Sequence, residues 1–202
     1  MNREYTIISD SREKKPLVFP CTLTTLDEWK LPTSFDPSIT VTIRTETECL
    51  GKNNPQMKKG DYFVKDYPDR CVAEKKTGVA EIAMNCLTKR PRERFIEELD
   101  YLRDKCRYPI LLLVGSPASY MRKPKYRSKQ VYKPGVAYSA LIRLLMERNI
   151  WLLTMPGDTL KDRQAMGECV AHILISGTVT NEIPDQRPNS ERETDTTGGQ
   201  GA

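Results

Sequence analysis

Apolar residues recur along this chain with two different periods. From Phe95 they return at Leu99, Leu102 and Cys106 with charge between them, which predicts a helix over Arg92 to Cys106 with one core-facing stripe. Ala137, Leu141, Leu144 and Leu145 mark a second helix over Gly135 to Arg148, and Gly78 to Leu87 has the same character. Ile39 to Arg44 instead alternates Ile, Val and Ile with Thr, the period of a strand, and Tyr5 to Ser9 is a β-branched and aromatic strand nearer the start. Pro109 to Val114 and Ile150 to Met155 are short and mostly apolar, as expected of strands buried on both faces. Asp61 to Lys65 and Cys71 to Lys75 flank the turn-forming run Asp66-Tyr67-Pro68-Asp69-Arg70 and predict a hairpin.

Between these elements the stretch holding Pro32 and Pro37 reads as loop, and Thr45 to Lys59 reads as an exposed loop or hairpin arm. Asp158 or Thr159 caps a last helix running to about Ile175. Beyond Asn181 the chain turns to Pro, Ser, Thr, Gly and charge. The predicted organisation is a body over residues 1–180 and a disordered polar tail over 181–202. Alternating strands and helices place the body in the α/β class, with a central mixed sheet flanked by helices, a hairpin on one side and parallel strands on the other.

A length of 202 residues suits one hydrophobic core. The longest apolar runs, Ile110 to Val114 and Ile150 to Leu153, fall far short of the roughly 20 residues that a membrane-crossing helix needs, so no membrane partner is expected. The first residues carry no apolar signal segment, and the six cysteines form no Cys-x-x-Cys pair. Reduced thiols and a cytoplasmic location, in a bacterial or phage-infected cell, are the expectation. Cys169 and the only histidine, His172, lack the two further ligands of a zinc site. From Asn181 onward five acids stand against two bases, so residues 1–180 carry +8 within a chain total of +5. A basic body favours a polyanionic partner, nucleic acid first.

The chemistry gathers on the hairpin. Glu74 and Lys76 stand two apart on its second strand and share a face, and pairing of the strands brings Asp61 beside Glu74. Two converging carboxylates with an ammonium beside them form an oxygen-ligand site for Mg²⁺. A cation of that kind carries waters able to attack a phosphate, with the Lys75 main-chain carbonyl as a further ligand. Lys76 then positions or deprotonates the water, or neutralises charge on phosphorus. On spacing alone, a solvated charged hairpin accounts for the pattern as well.

Asp61 stands in Gly60-Asp61-Tyr62, Glu74-Lys75-Lys76 follows after the hairpin, and Asp10-x-Arg12-Glu13 closes the first strand. This set resembles the XPF-type nuclease domain of structure-specific DNA endonucleases. That family's hallmark is Gly-Asp, then at a variable interval Glu-Arg-Lys-x-x-x-Asp, with Asp-x-Arg-Glu upstream. Arg94-Phe95 looks like the family's opening of the next helix, and the likeness runs to about Ser176. Lys75 replaces the usual arginine, and Ala80 stands where the final Asp would fall, with Glu81 just after it. The tandem helix-hairpin-helix domain that often follows is not present after residue 180.

The resemblance implies a restriction-endonuclease-like, PD-(D/E)xK fold and Mg²⁺- or Mn²⁺-dependent cleavage of branched DNA (flaps, forks or junctions) in replication, recombination or repair. It implies that Asp61 and Glu74 hold metal, Lys76 serves the water and Asp10 adds a carboxylate. Arg12 would hold a phosphate and Glu13 orient it. Dimers are common in the family, and the apolar helix faces within Gly135 to Ile175 serve equally as a homodimer surface or as core.

A replacement for the missing duplex grip is expected in Arg122, Lys123, Lys125, Arg127, Lys129 and Lys133, a run with no acid. Its cations neutralise phosphates, and the interleaved Tyr120, Tyr126 and Tyr132 stack on exposed bases. Lys89, Arg90, Arg92 and Arg94 form a second basic cluster, set at a helix start where they oppose the helix dipole. The alternative from another class is a catalytically silent DNA-binding or scaffold domain of the same fold, motivated by Ala80.

Overall fold

A computed structural model describes residues 3–26, 38–51, 54, 57–121 and 135–179. The chain order is β1 (Arg3–Asp10), β2 (Thr22–Leu26), β3 (Ser38–Glu48), β4 (Tyr62–Val64), β5 (Cys71–Lys76), α1 (Val79–Leu87) and α2 (Lys89–Lys105). There follow β6 (Tyr108–Val114), α3 (Pro117–Tyr120), α4 (Val136–Met146), β7 (Trp151–Met155) and α5 (Leu160–Val179). The strands make one seven-stranded sheet in the order β2-β3-β1-β4-β5-β6-β7. The β1–β3, β5–β6 and β6–β7 pairs are parallel, while β2–β3, β1–β4 and β4–β5 are antiparallel. The mixed sheet flanked by helices is as predicted, but the hairpin lies at its middle with parallel pairs on both sides of it, not on one side of the sheet.

Side chains alternate across the sheet and sort into two cores. On one face Ile7, Tyr62, Ala73, Ile110 and Leu112 pack with Val170, Ala171 and Leu174 of α5. On the other, Leu111 and Leu113 meet α1, α2 and α4, and Ile8, Phe63 and Val72 meet Leu102 of α2. The α2 stripe is as predicted: Phe95, Leu99 and Leu102 are buried, each contributing about 2 kcal/mol by removal from water. The helix begins at Lys89, earlier than expected, because Pro91 falls in the first turn, where a missing N–H costs nothing. The buried stripes of α4 and α5 are spent inside the chain, so core packing accounts for them.

Four further expectations are corrected. The Pro-rich stretch contains a strand, β2, which pairs with β3 over Thr22 to Leu26. The region from Thr45 to Lys59 is not uniformly exposed: β3 continues to Glu48 alongside β1, and Leu50 and Met57 are buried over Ile8 and Phe63. The strand Trp151–Met155 is the sheet's outer strand rather than a doubly buried one, and Trp151 is 60% exposed. Tyr120 is not available to stack on a base, because its ring is buried against Tyr138 and its hydroxyl donates to the Val114 carbonyl at 3.0 Å. The basic residues Arg122, Lys123, Lys125, Arg127, Lys129 and Lys133, with Tyr126 and Tyr132, lie outside the described residues, as does the tail over 181–202. Among the described residues, no helix is long and apolar enough to cross a membrane.

Candidate active site

Three neighbouring strands deliver acids to one edge of the sheet. Asp10 is the last residue of β1, Asp61 immediately precedes β4, and Glu74 to Lys76 finish β5. The Asp10 N–H donates to the Asp61 carbonyl at 2.9 Å, and the Asp61 N–H donates to the Ala73 carbonyl at 2.9 Å. Gly60 makes this junction possible. Its φ of +106° suits glycine, and a Cβ there would collide with Cγ1 of Val72.

With the sheet's period of two, Asp10, Asp61, Glu74 and Lys76 share the face covered by α2, and Lys75 takes the other. Asp61 Oδ2 accepts the Lys75 N–H at 2.7 Å. Lys76 Nζ, almost completely buried, donates to Glu74 Oε1 at 2.6 Å and to Glu98 Oε1 at 2.8 Å. Its ammonium also lies 5.6 Å from the centre of the Phe95 ring.

The electrostatics follow from three carboxyls around one cation, Glu74 buried and Asp61 and Glu98 partly so. Burial lifts Asp61 to about 7, outweighing the Lys75 N–H and the charge of Lys76. Burial and the negative charge of Asp61 push Glu74 well above the ordinary carboxylate value. Glu98 is also opposed by burial, but its hydrogen bond with Glu74 and the Lys76 charge hold it below that value. Lys76 moves upward: burial works against its charge, and Glu74 and Glu98 more than offset this. It is an ammonium in this setting, a donor rather than a base.

Glu98 was not among the residues read from the sequence. The signal was present, because it sits between Phe95 and Leu99 on the edge of the buried stripe, where a side chain faces the sheet rather than solvent.

The upstream acids and bases are distributed differently from the expectation. Asp10 is engaged by Arg12, whose Nε and NH2 stand 2.9 and 2.6 Å from Oδ2, and the Leu50 N–H reaches Oδ1 at 3.5 Å. Burial opposes the Asp10 charge, but Arg12 holds the carboxyl below its ordinary value. Arg12 is thus oriented by Asp10, and its side chain remains 59% exposed. Glu13 instead faces Lys75, at 3.5 Å from a wholly buried Nζ. That ammonium also donates to the Lys15 carbonyl at 2.6 Å and to Asp158 Oδ1 at 3.2 Å, joining the segment after β1 to the start of α5. Glu81 accepts from the N–H and hydroxyl of Thr77 at 2.6 and 2.8 Å, which employs it at the start of α1.

Among the described residues no three His, Cys, Asp or Glu side chains are arranged to hold a metal ion. The two carboxylates that would hold a divalent cation are Asp61 and Glu74, both lifted chiefly by burial. Mg²⁺ is commonly held by one or two carboxylates, with water and substrate phosphate completing its shell.

No family model matches the chain, and no curated protein matches it. Among solved structures the fold is similar to XPF from Aeropyrum pernix, with 17% identity, a TM-score of 0.44, and coverage of 85% of this chain and 67% of that one. It is also similar to XPF from Aeropyrum pernix in complex with DNA, at 17% identity and a TM-score of 0.46, covering 91% of this chain and 69% of that one.

Proposed function

We propose that the chain is a metal-dependent DNA endonuclease of PD-(D/E)xK type, which hydrolyses phosphodiester bonds in branched DNA. The observation that carries this reading is the meeting of Asp61, Glu74 and Lys76 on one sheet face, with both acids lifted by burial. Mg²⁺ or Mn²⁺ at Asp61 and Glu74 would supply a polarised water and draw off charge from the phosphate. Lys76, kept charged by Glu74 and Glu98, donates from Nζ to a non-bridging phosphate oxygen as negative charge grows there. Arg12, steadied by Asp10, holds an adjacent phosphate with its exposed edge. The bond formed joins the water oxygen to phosphorus, the bond broken is the phosphorus–oxygen ester bond to the departing strand, and the proton lost by the water is balanced by the one gained on the leaving oxygen, so no further reactant is needed.

The test compares cleavage of linear, flap, fork and four-way DNA at fixed salt with Mg²⁺ or Mn²⁺, using wild type, Asp61→Asn and Glu74→Gln. Metal-dependent cutting lost in both variants is expected, with branched substrates cut fastest. Cutting retained in both would overturn the carboxylate assignment.

A second reading is a catalytically silent DNA-binding or scaffold domain. It is favoured by Ala80 and by the engagement of Glu81 with Thr77, which leaves the family's last acidic position without a replacement. Tight binding of branched DNA without cutting in either metal would select it.

A further inference from the structure

An acidic centre that acts on a polyanion needs positive charge to hold the strand beside it. Glu98, which marks the α2 side of the centre, also fixes a line along that helix. Arg94 precedes it by four residues and Arg90 by eight, so both follow the same side of α2 toward its start. Lys89 lies about 100° round the helix from Arg90, and Arg92 lies almost half a turn from both Arg90 and Arg94, where its charge acts on Cys86 of α1. The four cations at the start of α2 therefore divide into two pairs with different outlooks.

The segment before Asp61 adds to the first pair. Lys58 and Lys59 are exposed. The Lys58 N–H donates to the Tyr101 hydroxyl at 3.0 Å, which fastens the segment to α2 three residues past Glu98. Gly60 packs directly on Val72 and leaves the segment no room to shift inward. Lys59 acts on Glu98 from this position, helping to hold its carboxyl down. Among the described residues no ion pair engages Lys58, Lys59, Arg90 or Arg94. Besides Glu98 itself, Glu93 and Glu97 lie close to this line, three residues after Arg90 and Arg94 respectively, and among the described residues neither makes an ion pair with them.

We infer that Lys59, Arg94 and Arg90 form a track for the phosphates of one DNA strand, leading from the acidic centre along α2. The inference rests on the nuclease reading for its partner and adds the path the strand takes. Lys89 and Arg92 lie outside the track and serve as its internal control.

The experiment measures binding of fluorescein-labelled flap DNA by anisotropy, in EDTA so that nothing is cut, from 50 to 300 mM NaCl. Wild type, Arg90→Ala/Arg94→Ala, Lys59→Ala and Lys89→Ala/Arg92→Ala are compared, with circular dichroism confirming that each is folded. Every phosphate that a variant no longer neutralises reduces the slope of log affinity against log salt by about 0.9. A slope reduced by about 2 in Arg90→Ala/Arg94→Ala and about 1 in Lys59→Ala, with the control double unchanged, supports the track. Equal reductions in the two double variants, an unchanged slope in the track variants, or no DNA binding by wild type would overturn it. The cleavage assay is separate. Cutting by wild type with an unaltered slope in the track variants sinks the track alone, whereas a reduced slope without any cutting sinks the enzyme and keeps the track.

Discussion

Glu98 lies 2.8 Å from Lys76 Nζ and completes, with Glu74, a fork around a buried ammonium. Neither of its neighbours on α2 has a comparable role: Glu97 is exposed, and Leu99 is core. Glu98→Gln keeps a hydrogen-bond acceptor for Lys76 but removes a charge. Supporting groups around metal sites typically change affinity or activity by about 10–100-fold. Glu98→Gln is expected to slow cleavage by that amount while leaving the fold intact, as checked by single-turnover kinetics over a Mg²⁺ titration.

Asp61 carries a pH signature. Its carboxyl rises from 3.8 to about 7 on folding, so the folded state holds a proton that the unfolded state releases. Without metal, the contribution of this group is fully present below the lower value and is lost as pH rises through the interval to about 7. Glu74 shifts in the same direction and adds to the trend. Thermal unfolding in EDTA should give a higher Tm at pH 5 than at pH 8, with a smaller difference in Asp61→Asn. A divalent cation competes with those protons and should raise Tm more at pH 8 than at pH 5.

Lys75 is expected to matter for stability more than for the reaction. Its Nζ is wholly buried between Glu13 and Asp158. Replacing it with Met removes the buried cation between them, leaving Glu13 only the Lys15 N–H and Asp158 only the Lys15 ammonium among the described residues, and should cost about 2–4 kcal/mol in urea unfolding. Lys75→Arg, which keeps the charge, should recover most of this loss.

Gly60→Ala tests the junction that places Asp61. The substitution meets both a positive φ and contact with Val72, so a loss of at least about 2 kcal/mol is expected. Cleavage should fall further than stability explains, measured well below the variant's Tm, because the Asp61 carbonyl and N–H are displaced together.

Periodicity made much of this legible from the residues. The α2 stripe and the twice-buried β6 stand out because their neighbours in sequence are so different in character. The hairpin was legible from its turn formers, and with it the meeting of Asp61 and Glu74. Strand β2 was not, since Thr22 to Leu26 is short and flanked by prolines, and its partner β3 decides its state. Nor was the burial of Leu50 and Met57, two apolar residues in a polar segment that only the packed α2 face explains. Ile150 to Met155 misled because an apolar strand reads alike whether it ends a sheet or lies within it. The partners of Asp10 and Glu13 depended on which face each charged side chain takes. That in turn depended on a strand order that brings β1 beside β4.

Strand β5 hands successive residues to opposite sides: Glu74 and Lys76 to the α2 side, Lys75 to the side of Asp158. Deleting one residue within the strand would exchange these assignments, burying an acid among Glu13 and Asp158 and leaving a single lysine opposite Glu98. The turn over residues 66–70 is under no such rule and can be lengthened without altering which side each residue serves. The hairpin therefore offers its tip to variation and denies it to the six residues Cys71–Lys76.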